Sequence, residues 1–93
     1  MSNITNMNIK NVLLFGAGMV AMPVIRLLGN RNDIHLYVAS DQEKQAMEMI
    51  QQVSNYEEKV TFVTFKYPED LTKMSLIVKD MNLVISLLPA TMH

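Results

Sequence analysis

Four short apolar runs punctuate this chain, and the segments between them carry apolar residues at helical spacing. The runs are Val12-Leu13-Leu14-Phe15, Ile34-His35-Leu36-Tyr37-Val38-Ala39, Val60-Thr61-Phe62-Val63-Thr64-Phe65 and Leu83-Val84-Ile85-Ser86-Leu87-Leu88. The first is continuous rather than alternating, as a strand covered on both faces requires. The third is β-branched and aromatic, which suits a pleated sheet. Between them lie three stripes: Val20, Val24, Leu27 and Leu28; then Ala46, Met49, Ile50 and Val53; then Leu71, Met74, Ile77, Val78 and Met81. Each stripe follows the three-and-four-residue rhythm of a helix with one buried face. Strands that alternate with helices specify a parallel sheet with right-handed crossovers. The expected fold is therefore α/β: half of a Rossmann-type doubly wound parallel sheet, βαβαβαβ, in strand order 3-2-1-4.

Local signals mark the element ends. Gly29-Asn30-Arg31-Asn32-Asp33 stops the first helix and turns the chain. Ser40 or Asp41 is placed to cap the second helix. Residues 55–59 read as a charged connection. Pro68-Glu69-Asp70 opens the third helix, with acidic residues at its positive dipole end. Pro23 falls inside the first helix and removes one backbone donor there.

Composition narrows the function. The chain has 93 residues, no cysteine, two histidines and a formal net charge of −1. That length holds one core and leaves little for a second domain. Without cysteine there is no disulfide and no thiolate site, and His35 and His93 are too far apart in sequence to suggest a metal cluster. Near-neutral charge leaves no footprint for nucleic acid. The apolar runs fall far short of the roughly 20 residues that span a bilayer. Residues 1–11 lack the apolar core of a signal peptide. The expectation is a cytoplasmic domain, or an organelle-matrix one if a parent protein resides there, that binds neither nucleic acid nor membrane.

The chemistry-bearing motif directly follows the first run. Gly16-Ala17-Gly18-Met19-Val20-Ala21 reads G-x-G-x-x-A between a buried strand and a helix. In that context each small residue has a task. Gly16 permits the tight turn, Gly18 lets the backbone approach a pyrophosphate, and Ala21 lets the helix pack on the sheet. Backbone N–H groups of residues 16–20 then face the phosphates at a positive dipole end. The competing reading is a tight turn without ligand.

A dinucleotide site of this kind also needs an acid about 20 residues on, at the end of the second strand, to receive the ribose hydroxyls. Asp41 stands there. Its carboxylate accepts hydrogen bonds from a 2′-OH and repels a 2′-phosphate, so NAD is favoured over NADP. Lys44 and Ser40 are the features on the NADP side. Gln45 shares the helical face of Asp41 and reads either as an adenosine contact or as a solvated glutamine. Lys66 and Tyr67 follow the third run, near where an adenine would lie. In a 3-2-1-4 sheet the first and fourth strands flank the switch point, so Leu87, Leu88 and Pro89 border the middle or nicotinamide side of the cofactor. Residues 9–93 thus read as a partial NAD(P)-binding Rossmann domain, with residues 1–8 as a flexible tail. The candidate cofactor-binding residues are Gly16, Ala17, Gly18, Met19, Val20, Asp41, Gln45, Leu87, Leu88 and Pro89. No residue is assigned as catalytic or metal-binding.

The stretch from Val12 to Val24, with its helix proline, resembles the opening of the saccharopine dehydrogenase family, which typically reads VLVLGAGxVAxPV. Residues 80–93, DMNLVISLLPATMH, resemble that family's DLVISLLPYxxHP. The middle, Val38-Ala39-Ser40-Asp41-Gln42-Glu43-Lys44-Gln45, is more similar to the bifunctional lysine-ketoglutarate reductase/saccharopine dehydrogenases. The resemblance implies an NAD(P)-dependent oxidoreductase of lysine metabolism that converts saccharopine to glutamate and 2-aminoadipate 6-semialdehyde. It implies pyrophosphate at residues 16–20, the adenosine ribose at Asp41 and Gln45, and the nicotinamide side at residues 87–89. His93 matches a family histidine near the active-site entrance. Lys66 and Ala90 depart from the family, which often has an acid and a tyrosine there.

The family's substrate and acid/base residues lie in a later domain, so the 93 residues alone are expected to be inactive. An apolar fourth strand at the sheet edge invites pairing, with a missing C-terminal domain or with a second copy. Two other readings use the same glycine loop and acid. One is a standalone NAD(H)- or nucleotide-sensing regulatory module without catalysis. The other is an S-adenosylmethionine-dependent methyltransferase fragment, against which Pro23 and residues 86–89 speak.

Overall fold

A computed structural model describes residues 9–16, 21–66 and 69–87. The elements are β1 (Lys10–Phe15), α1 (Ala21–Gly29), β2 (Ile34–Ser40), α2 (Glu43–Ile50), α3 (Tyr56–Lys59), β3 (Val60–Thr64), α4 (Leu71–Val78) and β4 (Leu83–Ser86). All pairings are parallel and the sheet runs β3-β2-β1-β4, the order expected from the sequence. Val12, Leu13 and Leu14 lie opposite Leu36, Tyr37 and Val38 on one side and Leu83, Val84 and Ile85 on the other. The proposed tail, residues 1–8, lies outside the described residues.

Alternate strand residues face opposite layers. Val12, Leu14, Leu36, Val38 and Val60 form one core with Ala21 and Ile25 of α1 and Ala46, Met49 and Ile50 of α2. Leu13, Ala39 and Phe65 form the other with Met74 of α4. There Phe15 and Phe65 meet edge to face at 5.4 Å. The layer division explains the continuous apolar strand: both its faces are buried.

The helices differ from their sequence stripes in informative ways. In α1 the buried positions are Ala21, Ile25 and Gly29, while Leu27 is 68% exposed. Leu27 lies about 200° around the helix from Ile25, so it points away from the sheet. In α4 only Met74 is fully buried, and Leu71 and Val78 are exposed. Pro23 is the third residue of α1, near its amino end, where proline is tolerated best. The expected charged connection contains α3, which follows Asn55 in a left-handed conformation (φ 59°). Asparagine tolerates that conformation better than most residues.

The amino end of the sheet is fastened by side chains. The Asn11 N–H donates to Asn82 Oδ1 at 2.7 Å, and the Asn82 N–H donates to the Asn11 carbonyl at 2.7 Å. This reciprocal pair ties the start of β4 to β1. Arg31 grips Asp33 with two bonds of 3.0 Å, and those bonds hold the Asp33 carboxyl below its usual range.

His35 is half-buried, with Nε2 2.8 Å from Thr61 Oγ1 and its ring 4.8 Å from that of Tyr37. Burial lowers its pKa from the usual 6.5. A lowered histidine pKa means that the unfolded chain takes up a proton more readily than the folded one. The penalty is therefore absent above about pH 6.5 and appears as the pH falls below it. His35→Gln should flatten the loss of stability between about pH 7 and pH 5, read from urea melts. Identical pH slopes for both proteins would place the acid sensitivity elsewhere.

Candidate dinucleotide site

The carboxyl ends of the strands form the edge at which doubly wound sheets hold ligands. Gly16 sits there at the exit of β1. Its φ is +102°, a conformation that L side chains rarely adopt. Its N–H donates to the Ala39 carbonyl at 2.9 Å, which draws it toward β2. On the other side the Leu87 N–H donates to the Phe15 carbonyl at 2.9 Å. A Cβ on Gly16 would meet Leu87 Cβ at 3.4 Å and its carbonyl carbon at 3.5 Å. Gly16 thus lies where the carboxyl ends of β2, β1 and β4 converge. Leu87 is half-buried against the α1 layer. Ala17, Gly18, Met19 and Val20, together with Leu88 and Pro89, lie outside the described residues.

One strand over, the end of β2 is well ordered by its own backbone. Ser40 is 5% exposed. Its Oγ accepts the Gln42 N–H at 2.9 Å, and its carbonyl accepts the Phe65 N–H at 3.0 Å. Asp41 follows it on the surface. The residue at the α2 N-cap is Gln42, and no side chain caps that helix. Neither Ser40 nor Asp41 therefore takes the capping role considered from the sequence, because the hydroxyl is turned to the loop. Among the described residues the Asp41 carboxylate has no hydrogen-bond or ion-pair partner. Gln45 is exposed on the first turn of α2 and lines an open groove of about 280 Å³ with Met22, Glu48, Met49 and Gln52. Asp41 and Gln45 thus start and follow one turn of chain, with Gln45 on the flank toward α1.

The β3 end carries a feature that residue spacing did not disclose. Asp70 reaches back along the chain: its Oδ2 accepts the Lys66 N–H at 2.8 Å, and its own N–H donates to the Lys66 carbonyl at 2.8 Å. An acid just before an apolar stripe was the only signal, and it reads equally as a helix cap. Lys73 Nζ donates to the Thr64 carbonyl at 2.9 Å. Tyr67 lies outside the described residues. Among the described residues no group of three or more His, Cys, Asp or Glu side chains could hold a metal ion.

The geometry fits a dinucleotide. A glycine with positive φ ends β1, and at the end of the adjacent strand stands a carboxylate that has no partner among the described residues. Comparison with known proteins agrees. Residues 12–93 match the family model described as the saccharopine dehydrogenase NADP binding domain. The chain is 38% identical over 85 residues to the mitochondrial alpha-aminoadipic semialdehyde synthase of Rattus norvegicus, and 33% identical over 84 residues to that of Mus musculus. Each alignment covers 90% of this chain and 8% of the relative. The fold matches apo histidine-tagged saccharopine dehydrogenase (L-Glu forming) from Saccharomyces cerevisiae, with a TM-score of 0.74 and 32% identity. That match covers 90% of this chain and 18% of the yeast one. The family description supports a nicotinamide dinucleotide as the ligand class. The chain belongs to the saccharopine dehydrogenase NADP-binding domain family.

Proposed function

We propose that these residues are the cofactor-holding portion of a saccharopine dehydrogenase-like oxidoreductase of lysine metabolism, with NAD preferred. The reaction is the oxidation of saccharopine to glutamate and 2-aminoadipate 6-semialdehyde. The observation that carries the reading is the Asp41 carboxylate at the end of β2, without a partner among the described residues, beside Gly16 at the end of β1. A nicotinamide dinucleotide supplies hydride transfer when bound. This chain's residues bind and orient: residues 16–20 cradle pyrophosphate, Asp41 accepts the ribose hydroxyls, Gln45 borders the adenosine, and residues 87–89 border the nicotinamide side. The substrate-reading and acid/base groups come from outside these 93 residues, as the small share of each relative that the chain spans suggests.

Calorimetry with NAD, NADP and S-adenosylmethionine tests this. NAD should bind below millimolar concentrations. Asp41→Ala should weaken NAD by about 1–3 kcal/mol, since a charged acceptor is lost. Unchanged affinity would leave Asp41 as a solvated surface acid.

The edge of the sheet supports a partner. Leu83 is 52% exposed and Val84 39% exposed on β4, one on each face of the sheet. A bare apolar edge pairs readily with another strand. We propose that β4 pairs with further sequence of the parent protein or, in the isolated chain, with a second copy. Sedimentation across micromolar concentrations should show self-association that Val84→Lys abolishes. A stable 10.6 kDa monomer would sink the second-copy form of this pairing.

A further inference from the structure

The β2 and β3 ends run into adjacent loops that carry opposite charges. Ser40 lies opposite Thr64, and the Phe65 N–H donates to the Ser40 carbonyl at 3.0 Å. The chain therefore leaves both strands side by side, with Asp41 on one loop and Lys66 on the next. Both are exposed. Among the described residues neither side chain takes part in a hydrogen bond or an ion pair, with each other or with any other group.

The backbone of Lys66 is held from both sides by Asp70, which occupies that carboxylate on the loop itself. Lys73 lies close by, its ammonium tied to the Thr64 carbonyl. Among the described residues, the end of β3 thus presents one tethered cation and one free one. The end of β2 presents a carboxylate, with Lys44 one residue into α2.

We propose that Lys66 is a second determinant of cofactor choice, placed so that its ammonium meets a 2′-phosphate on the ribose that Asp41 receives. This rests on the dinucleotide reading above. The consequence is a site that prefers NAD yet accepts NADP. Asp41 excludes the 2′-phosphate by like charge, and Lys66 offsets that exclusion from the neighbouring strand. Lysine suits the task as a compact charge on a flexible stem, which can turn toward a phosphate or remain in water.

Calorimetric titration of the 93-residue chain with NAD and with NADP, at low and at high salt, tests the proposal. Wild type should bind both, NAD more tightly. Lys66→Ala should weaken NADP about three- to tenfold and leave NAD within about twofold, the range for an exposed charge-assisted contact. Its NADP affinity should also depend less on salt. Lys66→Glu should deepen the loss, and Lys66→Arg should restore NADP binding. Thermal melts should match wild type, because the side chain is exposed. Three results overturn the proposal: wild type binds NAD but not NADP, Lys66→Ala weakens both cofactors equally, or Lys44→Ala removes the NADP affinity while Lys66→Ala does not. Failure of wild type to bind either cofactor would instead sink the dinucleotide reading itself.

Discussion

Leu14→Ala should cost about 2–5 kcal/mol of stability, the range for truncating a wholly buried leucine. Leu14 is wholly buried in the central strand, opposite Val38 on β2 and Ile85 on β4. Its side chain enters the core beneath α1 and α2, among Ile25, Leu36 and Ile50. Sheets packed between helix layers relax little around a lost methyl group, so the cavity persists. A domain of this size is stable by only about 5–14 kcal/mol, so the variant should lose a large share of its stability. Urea denaturation followed by circular dichroism measures the loss. Leu27→Ala is the matched control, since the same side chain on the exposed face of α1 should change stability by less than about 0.5 kcal/mol. Equal losses for the two variants would contradict the layer assignment.

Gly16→Val should be the most damaging change at the cofactor edge. A β-branched residue at φ +102° carries strain of about 1–3 kcal/mol. The added side chain also grows toward Leu87, which a bare Cβ already meets at 3.4 Å. Relief requires the exits of β1 and β4 to part, and both border the proposed dinucleotide. The expected result is a lower melting point together with loss of measurable NAD binding. Gly16→Ala should show both effects at smaller size. Wild-type affinity in the valine variant would mean that the ligand does not use this turn.

The strands were legible because buried parallel strands leave continuous apolar runs between helical stripes, and their order followed from reading that alternation with the glycine motif as Rossmann-type. The acid at the end of β2 was equally legible from its distance to the glycine motif. Helix faces were less so. Apolar residues such as Leu27, Leu71 and Leu76 sit on exposed faces, where a spacing rule counts them as core. The four residues of α3 are too few to show a period. The back-bonded Asp70 depends on the path of a loop, and side-chain capping has one sequence signature for several geometries. The nearness of the loops that carry Asp41 and Lys66 is a product of sheet register, which joins residues 24 positions apart. It becomes visible only once β2 and β3 are paired.

The placement of β1 between β2 and β4 has a consequence for how the chain is made. Val12 is completed as a sheet residue only by Leu83, and the Asn11–Asn82 clasp spans 71 residues. During synthesis β1 therefore waits for β4, which follows it by about 70 residues, before its second edge is closed. Closing so long a loop delays folding relative to local pairing. Until then β1 presents Val12, Leu13 and Leu14 along an open edge. The asparagine clasp acts as a late latch on a central strand made well before its partner.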